Sequence, residues 1–246
     1  MIYFPTTFAP ERADAIAAKR GFVPWKNVSG EIIGWQLPAR RAATGAVLIV
    51  HGNAGSAVER GYIARPIHEA AAVDVFVLEY PGYGARGGSP SEKSFLSAAD
   101  EAFSLLTHRA PVFVVSESLG TGVAAHLAGT HGGRVAGLAF IAPYNDLVSV
   151  GQRKMPFLPV RLILQDRFPA AAWLRDSRRP AVFLLAGEDE VIPTGLGLKL
   201  HDGYAGPKKL HVIPGAQHND IAEQSPDWWA GVFEFWRENG VRQATD

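Results

Sequence analysis

Ser118 lies at the centre of a short stretch whose residue types could activate a hydroxyl group as a nucleophile. Residues 116–120 have the pattern small-x-Ser-x-Gly. They follow the apolar, β-branched run 111–115 and precede the helix-forming stretch 122–128. A strand that turns sharply into a helix around this pattern forms a nucleophile elbow, which holds the serine strained at the top of the sheet. The helix directs its unpaired N–H groups at the same point. The pattern therefore predicts Ser118 as a nucleophile.

Small residues are needed on both sides of this serine because strand and helix pass close together there. Gly120 meets that need on the helix side. On the strand side, position 116 carries serine where the common form of the pattern has glycine. A hydroxymethyl group is small, so we expect Ser116 to be tolerated and to form a hydrogen bond of its own.

An acidic loop downstream supplies candidates for the group that orients the base. A serine hydroxyl reacts only when a base takes its proton, and a third group orients that base. In the elbow architecture the chain order is serine, acid, histidine. Loop 187–193 follows a predicted strand, and we predict Asp189 as the acid. A solvated loop without a catalytic role is the alternative, and three other carboxylates remain candidates: Glu188, Glu190 and Asp202.

His218 is the predicted base because it lies in the loop 214–220, directly after the last predicted strand. That loop is rich in small and polar residues, so an imidazole there can reach across the top of the sheet. His211 lies within a strand and His201 within a helix, which favours packing or solvent exposure for both. The remaining histidines are assigned structural roles: His51, His68, His108, His126 and His131.

The loop after the predicted strand 45–50 could complete an oxyanion hole with the elbow. The backbone N–H after the nucleophile, that of Leu119, is one expected donor, and the N–H of Asn53 is the predicted second donor. Gly52 permits close backbone approach, and His51 is expected to hold the loop in place. A phosphate-binding loop is the alternative, but the sequence has neither a Walker lysine nor a G-x-G-x-x-G motif. No cofactor is predicted.

Predicted strands and helices alternate along most of the chain, which favours an α/β fold with a doubly wound, mostly parallel sheet. Residues 90–94 have the composition of a capped helix start. The predicted strands are 22–28, 31–37, 45–50, 73–79, 111–115, 135–141, 181–186 and 209–213. The predicted helices are 11–20, 57–72, 92–108, 122–128, 160–164, 194–204 and 226–238.

Residues 144–179 interrupt this alternation, and we expect them to form a small cap inserted over the sheet of a single domain spanning 1–246. Six apolar side chains in the segment suggest either an apolar lining for a substrate pocket or ordinary core packing. They are Met155, Phe157, Leu158, Leu162, Ile163 and Leu164.

Composition narrows the classes of protein that this chain could belong to. Lys+Arg and Asp+Glu both number 24 in 246 residues, so net charge gives no case for nucleic acid as a partner. The absence of cysteine excludes disulfides and thiolate metal ligands, and no His/carboxylate cluster has metal-ligand spacing. Because no signal peptide or apolar membrane-spanning stretch is visible, a cytoplasmic location and no integral membrane segment are expected. The oligomeric state stays open.

Several short motifs together resemble the α/β-hydrolase superfamily, and within it the bud-emergence-suppressor-like serine hydrolases. In chain order they are Tyr3-Phe4-Pro5, His51-Gly52-Asn53-Ala54-Gly55, Tyr80-Pro81-Gly82-Tyr83-Gly84, Ser118-Leu119-Gly120, Asp189 with Pro193, and Gly215 with His218-Asn219-Asp220. The resemblance implies the same nucleophile, acid and base. The sequence departs from the family in Ser116 and in lacking the N-terminal membrane segment of eukaryotic relatives.

The leading functional hypothesis is a cofactor-independent serine hydrolase that cleaves carboxylic esters or thioesters of a small-molecule or acyl substrate. The resemblance supports it, since related members include esterases and depalmitoylating thioesterases. A peptidase or amidase with the same triad is the alternative enzyme class. A non-catalytic binding scaffold is a third hypothesis, which the complete order of serine, acid and histidine disfavours.

Overall fold

The computed structural model describes residues 2–107 and 111–240. Within them the strands are β1 Phe4–Pro5, β2 Val23–Lys26, β3 Ile32–Leu37, β4 Ala46–Val50, β5 Ala54–Gly55, β6 Asp74–Leu78, β7 Val112–Glu117, β8 Val135–Ile141, β9 Ala181–Ala186 and β10 Lys208–Ile213. The α-helices are α1 Pro10–Lys19, α2 Gly61–Ala70, α3 Glu92–Leu106, α4 Gly120–Thr130, α5 Leu147–Lys154, α6 Val160–Ile163, α7 Ala170–Trp173, α8 Thr194–Gly203 and α9 Pro226–Asn239.

Eight of these strands form one sheet in the order β10-β9-β8-β7-β4-β6-β3-β2. The strands from β10 to β6 run parallel, whereas β3 pairs antiparallel with both β6 and β2. The predicted fold class, a doubly wound and mostly parallel α/β sheet, is confirmed. Because β4 and β7 are central neighbours, the loops that follow them meet at the same edge of the sheet.

The central strands are buried on both faces, as their continuous apolar sequences predict. All residues of β4 and of β9 are buried. Helices cover both faces, and α9 closes one of them with two buried tryptophans, Trp229 and Trp236. The indole N–H of Trp236 donates to the carbonyl of Leu138 at 3.1 Å, which satisfies its only polar group inside the core.

Two helix predictions need correction at their ends. The predicted helix 57–72 is a 3₁₀ turn at Ala57–Glu59 followed by α2, with the break at Arg60. The predicted helix 92–108 ends at Leu106, and His108 lies outside the described residues. Its start is as expected, since Ser91 and Ser94 form a reciprocal capping box. No helix in the described ranges is long and apolar enough to cross a bilayer.

The connection from β8 to β9 contains the three short helices α5, α6 and α7. It is anchored by Phe168, which is fully buried and packs so closely on α4 that a Cβ at Gly122 would lie 2.5 Å from its ring. Core packing was expected as one role for six apolar side chains of this connection, but five of them, Met155, Phe157, Leu158, Leu162 and Ile163, are exposed, and Leu164 is half-buried. Phe157 is 97% exposed and Leu162 is 82% exposed.

The first described residues lie against the loop that follows β4. The short strand β1 pairs in parallel with β5, placing Phe4 opposite Ala54. The Tyr3 hydroxyl donates to the Asp166 carboxylate at 2.8 Å. Burial and this contact raise the pKa of the Tyr3 hydroxyl, so it remains a donor across the physiological pH range. The segment therefore connects the β4 loop to the β8–β9 connection.

Replacing Gly120 with alanine should destabilise the fold. A Cβ there would lie 2.1 Å from the carbonyl oxygen of Val50, so α4 would have to move away from β4. We expect the free energy of unfolding to fall by about 3 kcal/mol, as for overpacked cores. Urea unfolding measures it. Gly231→Ala in α9 is the matched control, since its Cβ meets nothing within 4 Å, and it should stabilise by about 0.5–1 kcal/mol. If Gly120→Ala and Gly231→Ala changed the free energy of unfolding equally, the close contact between α4 and β4 would be contradicted.

Candidate active site

Ser118 occupies the turn between β7 and α4 in a conformation that few non-glycine residues adopt. Its φ is 51°, in the left-handed region. The turn is held because the Ser118 N–H donates to the carbonyl of Ile141 at 2.8 Å and the Ser118 carbonyl accepts from Thr121 at 2.9 Å. The strained serine that the elbow pattern predicts is therefore present. Ser116, beneath it, forms its expected hydrogen bond by donating to the carbonyl of Ala139 at 3.3 Å.

His218 contacts both Ser118 and Asp189, although these residues come from three different loops. Its Nε2 lies 3.1 Å from the Ser118 Oγ, and its Nδ1 lies 2.7 Å from the Asp189 Oδ2. These distances are within hydrogen-bonding range. With Nδ1 protonated and donating to the carboxylate, Nε2 carries a free lone pair directed at the serine hydroxyl. The arrangement can remove the hydroxyl proton during attack on a carbonyl carbon.

The Asp189 carboxylate is fixed in orientation by its own loop. Its Oδ1 accepts from the backbone N–H groups of Val191 at 2.8 Å and Ile192 at 2.7 Å, which leaves Oδ2 free for His218. The Asp189 side chain is only 2% exposed. A buried carboxylate held in this way restricts the imidazole to one orientation.

The other residues considered as acid or base have different surroundings from Asp189 and His218. Glu188 and Glu190, on either side of Asp189, are exposed. Asp202 instead pairs with His201 at 2.9 Å. His211 packs edge-on against Trp228, with ring centroids 5.4 Å apart. In the part of the chain that the structure describes, no group of three or more His, Asp or Glu residues is arranged to hold a metal ion.

The loop after β4 lies beside the elbow, since a Cβ at Gly52 would be 3.5 Å from the Ser118 Cβ. The Asn53 carbonyl accepts from the Phe4 N–H at 3.0 Å and from the Tyr83 hydroxyl at 2.7 Å, and its side-chain amide donates to the Ile2 carbonyl at 2.8 Å. Among the described residues, the N–H groups of Asn53 and Leu119 donate to no protein acceptor.

His51 and Gly52 support this loop through polar contacts at its base. The His51 Nδ1 lies 2.8 Å from the Gly52 carbonyl. Burial holds the pKa of His51 well below its ordinary value, so its imidazole is neutral at physiological pH. The Gly52 N–H donates to the Glu117 carboxylate at 3.3 Å. Glu117, the residue just before Ser118, therefore binds the loop that follows β4.

A buried network of charged residues surrounds that carboxylate. The guanidinium Nε of Arg60 lies 3.4 Å from the Glu117 carboxylate, and the Tyr62 hydroxyl donates to the other carboxylate oxygen at 2.6 Å. Arg60 also donates to the carbonyl of Ala54 in the β4 loop. Burying charges this deeply is costly unless they are paired. Here the pairing fixes the loop and the elbow to each other.

Glu79 is a second buried carboxylate close to the site. It accepts from the Ala57 N–H at 2.8 Å, and it lies 3.8 Å from the His51 Nε2. Burial raises the pKa of Glu79 to about 7. Sequence reasoning did not identify Glu79, Arg60 or Glu117 as part of the site. The available signal was a glutamate directly after the buried strand β6 and another within the elbow itself.

Comparison with known proteins identifies the class of this chain. A family model for the alpha/beta hydrolase fold matches residues 45–170. An uncharacterized protein of Mycobacterium tuberculosis is 31% identical over 227 residues, covering 89% of this chain and 80% of that protein. Protein bem46 of Schizosaccharomyces pombe is 28% identical, covering 79% of this chain and 68% of that protein. The chain therefore belongs to the α/β-hydrolase superfamily, in the branch that includes Bem46.

A solved structure agrees with the fold. The esterase Pf2001 of Pyrococcus furiosus superposes with a TM-score of 0.68 at 16% sequence identity, covering 96% of this chain and 97% of that one. At this level of identity the likeness concerns the arrangement of the sheet and its helices. The family that the short sequence motifs indicated is confirmed by these comparisons.

Glu79→Gln should change how stability depends on pH. In the wild type the unfolded chain ionises Glu79 near its ordinary pKa of 4.5, while the folded protein keeps it protonated up to about 7. Ionisation therefore favours the unfolded state, and the free energy of unfolding should fall by about 3 kcal/mol as pH rises across that interval. Glutamine still accepts from Ala57 but does not ionise, so the variant should lose this decrease.

Urea unfolding below, within and above that pH interval measures the effect. His51 acts in the opposite direction, because its depressed pKa makes stability fall as pH drops below the ordinary histidine value. Both proteins retain His51, so the difference between their curves reports Glu79 together with its 3.8 Å contact to the His51 Nε2. Parallel curves for wild type and variant would show that Glu79 ionises equally in the folded and unfolded states.

Proposed function

We propose that this protein is a serine hydrolase that cleaves carboxylic ester or thioester bonds through an acyl-enzyme intermediate. Ser118 is the nucleophile, His218 the general base and Asp189 the acid that orients it. The observation that carries the proposal is the continuous chain of contacts from the Ser118 Oγ through both His218 nitrogens to Asp189, at 3.1 and 2.7 Å. Family membership and an esterase with the same fold support it further.

In the proposed acylation step, the Ser118 Oγ attacks the carbonyl carbon while the His218 Nε2 takes the hydroxyl proton. The new positive charge on the imidazole is stabilised by the Asp189 carboxylate. The tetrahedral intermediate collapses, its bond to the alcohol or thiol breaks, and His218 returns the proton to that leaving group. Water then attacks the acyl-enzyme with His218 again acting as base, which releases the acid and regenerates Ser118.

The negative charge on the former carbonyl oxygen needs hydrogen-bond donors in the tetrahedral intermediate. We assign this role to the unpaired N–H groups of Asn53 and Leu119. The first residue of α4 directly follows Leu119, so the positive end of the helix dipole adds to the field there. Such preorganised donors lower the barrier because they need no reorientation during the reaction. Residues 144–179 are proposed as the cap that borders the substrate site.

Ser118→Ala should abolish labelling by a fluorophosphonate probe and reduce kcat by several orders of magnitude, because the nucleophilic oxygen is removed. Labelling is read on a gel, and kcat is measured with p-nitrophenyl esters, acyl thioesters and aminoacyl anilides. Faster turnover of anilides than of esters would favour the peptidase alternative. Thermal unfolding checks that the variant is folded.

Ser116→Gly is the matched control for this variant. Its hydroxyl is buried and bonds to Ala139, outside the Ser118–His218 contact. The control should keep both labelling and activity. Labelling that persists in Ser118→Ala but disappears in Ser116→Gly would assign the nucleophile to position 116 and refute the proposed mechanism.

Asp189→Asn should lower kcat by roughly 10⁴-fold, the effect of the same change in other Ser-His-Asp sites, because the imidazole is held in the wrong tautomer. The amide oxygen can still accept from Val191 and Ile192, so the loop should keep its shape. Steady-state kinetics with the best ester measure the loss. Glu188→Gln and Glu190→Gln, the exposed neighbours, should retain wild-type rates. Near-normal turnover by Asp189→Asn would move the acid role to another carboxylate.

A further inference from the structure

A cluster of apolar side chains projects into solvent from the β8–β9 connection. The group, named here the apolar patch, is Met155 at 43% exposure, Phe157 at 97%, Leu158 at 46%, Leu162 at 82% and Ile163 at 57%. Single exposed apolar residues are common, but a contiguous group of them marks an interaction surface. All five fall within nine consecutive residues, which keeps them together on the molecule.

The local structure holds these side chains outward. Within 155–163 only Val160 is buried, at 1% exposure, and it packs against α5 at Gly151, where a Cβ would lie 2.9 Å from its methyl group. Pro156 and Pro159 restrict the backbone on both sides of Phe157. Val160 thus anchors the segment, while its other apolar side chains are exposed to solvent.

Positive charge accompanies the patch. Arg153, Lys154 and Arg161 lie within or beside it and are exposed, and no acidic residue occurs between Leu147 and Leu164. Asp146 lines one cavity with Arg161, and the exposed Glu190 binds Lys154 through its carbonyl, so the positive excess belongs to the run 147–164 in a chain whose formal net charge is zero. Exposed apolar side chains flanked by lysine and arginine match the interfacial region of a bilayer, with its acyl chains and anionic headgroups.

The patch lies next to the proposed active site. The Lys154 ammonium donates to the carbonyl of Glu190, the residue after Asp189. A ligand bound at the patch would therefore be beside the acid loop.

We propose that the apolar patch docks the protein onto an anionic lipid surface, with Phe157 and Leu162 inserted among the acyl chains and the basic side chains against headgroup phosphates. A protein partner is less well matched, because the two most exposed side chains protrude instead of forming a groove. The patch residues do not line the cavity that adjoins α6, whose lining is Asp146, Val148, Ser149, Arg161, Arg167 and Pro169. Docking requires no catalysis and does not depend on the proposed hydrolase activity.

Vesicle co-sedimentation tests this proposal in the Ser118→Ala background, so that no lipid is consumed and failure of the proposed chemistry cannot affect the result. The probes are vesicles of phosphatidylcholine alone and of phosphatidylcholine mixed with phosphatidylglycerol. Binding should be strong only to the mixed vesicles and should weaken as salt is added. Equal binding to both vesicle types, or binding to neither, would overturn the proposal.

Phe157→Ser should reduce partitioning onto the mixed vesicles by about tenfold, because a buried aromatic side chain is lost from the lipid. Val28→Ser is the matched control: Val28 is 92% exposed but lies in the turn between β2 and β3, and its variant should bind like the parent. Arg153→Gln combined with Arg161→Gln should also cost about tenfold or more at low salt.

The patch could instead bind a second copy of the chain, and sedimentation velocity without lipid tests this by measuring the oligomeric state. A monomeric parent and a monomeric Phe157→Ser variant agree with lipid docking. A parent dimer that Phe157→Ser dissociates would assign the patch to self-association and overturn the proposal. An equal loss of vesicle binding in Phe157→Ser and Val28→Ser would also overturn it, since binding would then not be localised to the patch.

Discussion

The close contact between Gly120 and the end of β4 determines the geometry of the candidate site. A Cβ at Gly120 would lie 2.1 Å from the Val50 carbonyl oxygen, so there is room only for the glycine hydrogen and the helix lies directly against the central sheet. This brings Ser118, at the turn before the helix, beside the loop that follows β4. A Cβ at Gly52 in that loop would lie 3.5 Å from the Ser118 Cβ. The positive φ of Ser118 is the strain that this compact turn requires.

Buried polar residues hold the two loops around that turn. Arg60, Glu117 and Glu79 would be expensive in an apolar core, and better-packed hydrophobic residues often give greater stability. Here they bond to backbone groups that apolar side chains could not hold: the Gly52 N–H, the Ala54 carbonyl and the Ala57 N–H. The loop is therefore fixed by directional bonds, at a cost in stability that varies with pH through Glu79. Fixed N–H donors are what an oxyanion site needs.

Local pattern was sufficient to predict the eight strands of the main sheet and the sharp turn at Ser118, because each depends on residues close together in sequence. It did not predict the two-residue strands β1 and β5, which pair residues 50 positions apart. It could not reveal that Glu117 bonds to Gly52 or that Tyr3 bonds to Asp166, since these pairs are 65 and 163 residues apart. Nor could it determine the exposure of Phe157. Apolar residues between prolines suit a pocket lining, a core or a surface equally well, and only the packing of Val160 decides which way the segment faces.

The hydrogen bond between Ser118 and His218 joins residues 100 positions apart. His218 follows β10, which in residues 2–107 and 111–240 is the last strand and an edge strand paired with β9 alone. Contacts between distant residues form late, because the entropy of closing the intervening loop must be offset by structure already in place. During folding, the serine and its loop can therefore be assembled at the sheet centre while the imidazole is still absent. A partly folded molecule would have the Ser118 turn in place before His218 reaches it. A spectroscopic signal that depends on the Ser118–His218 contact would therefore report that the sheet edge is complete.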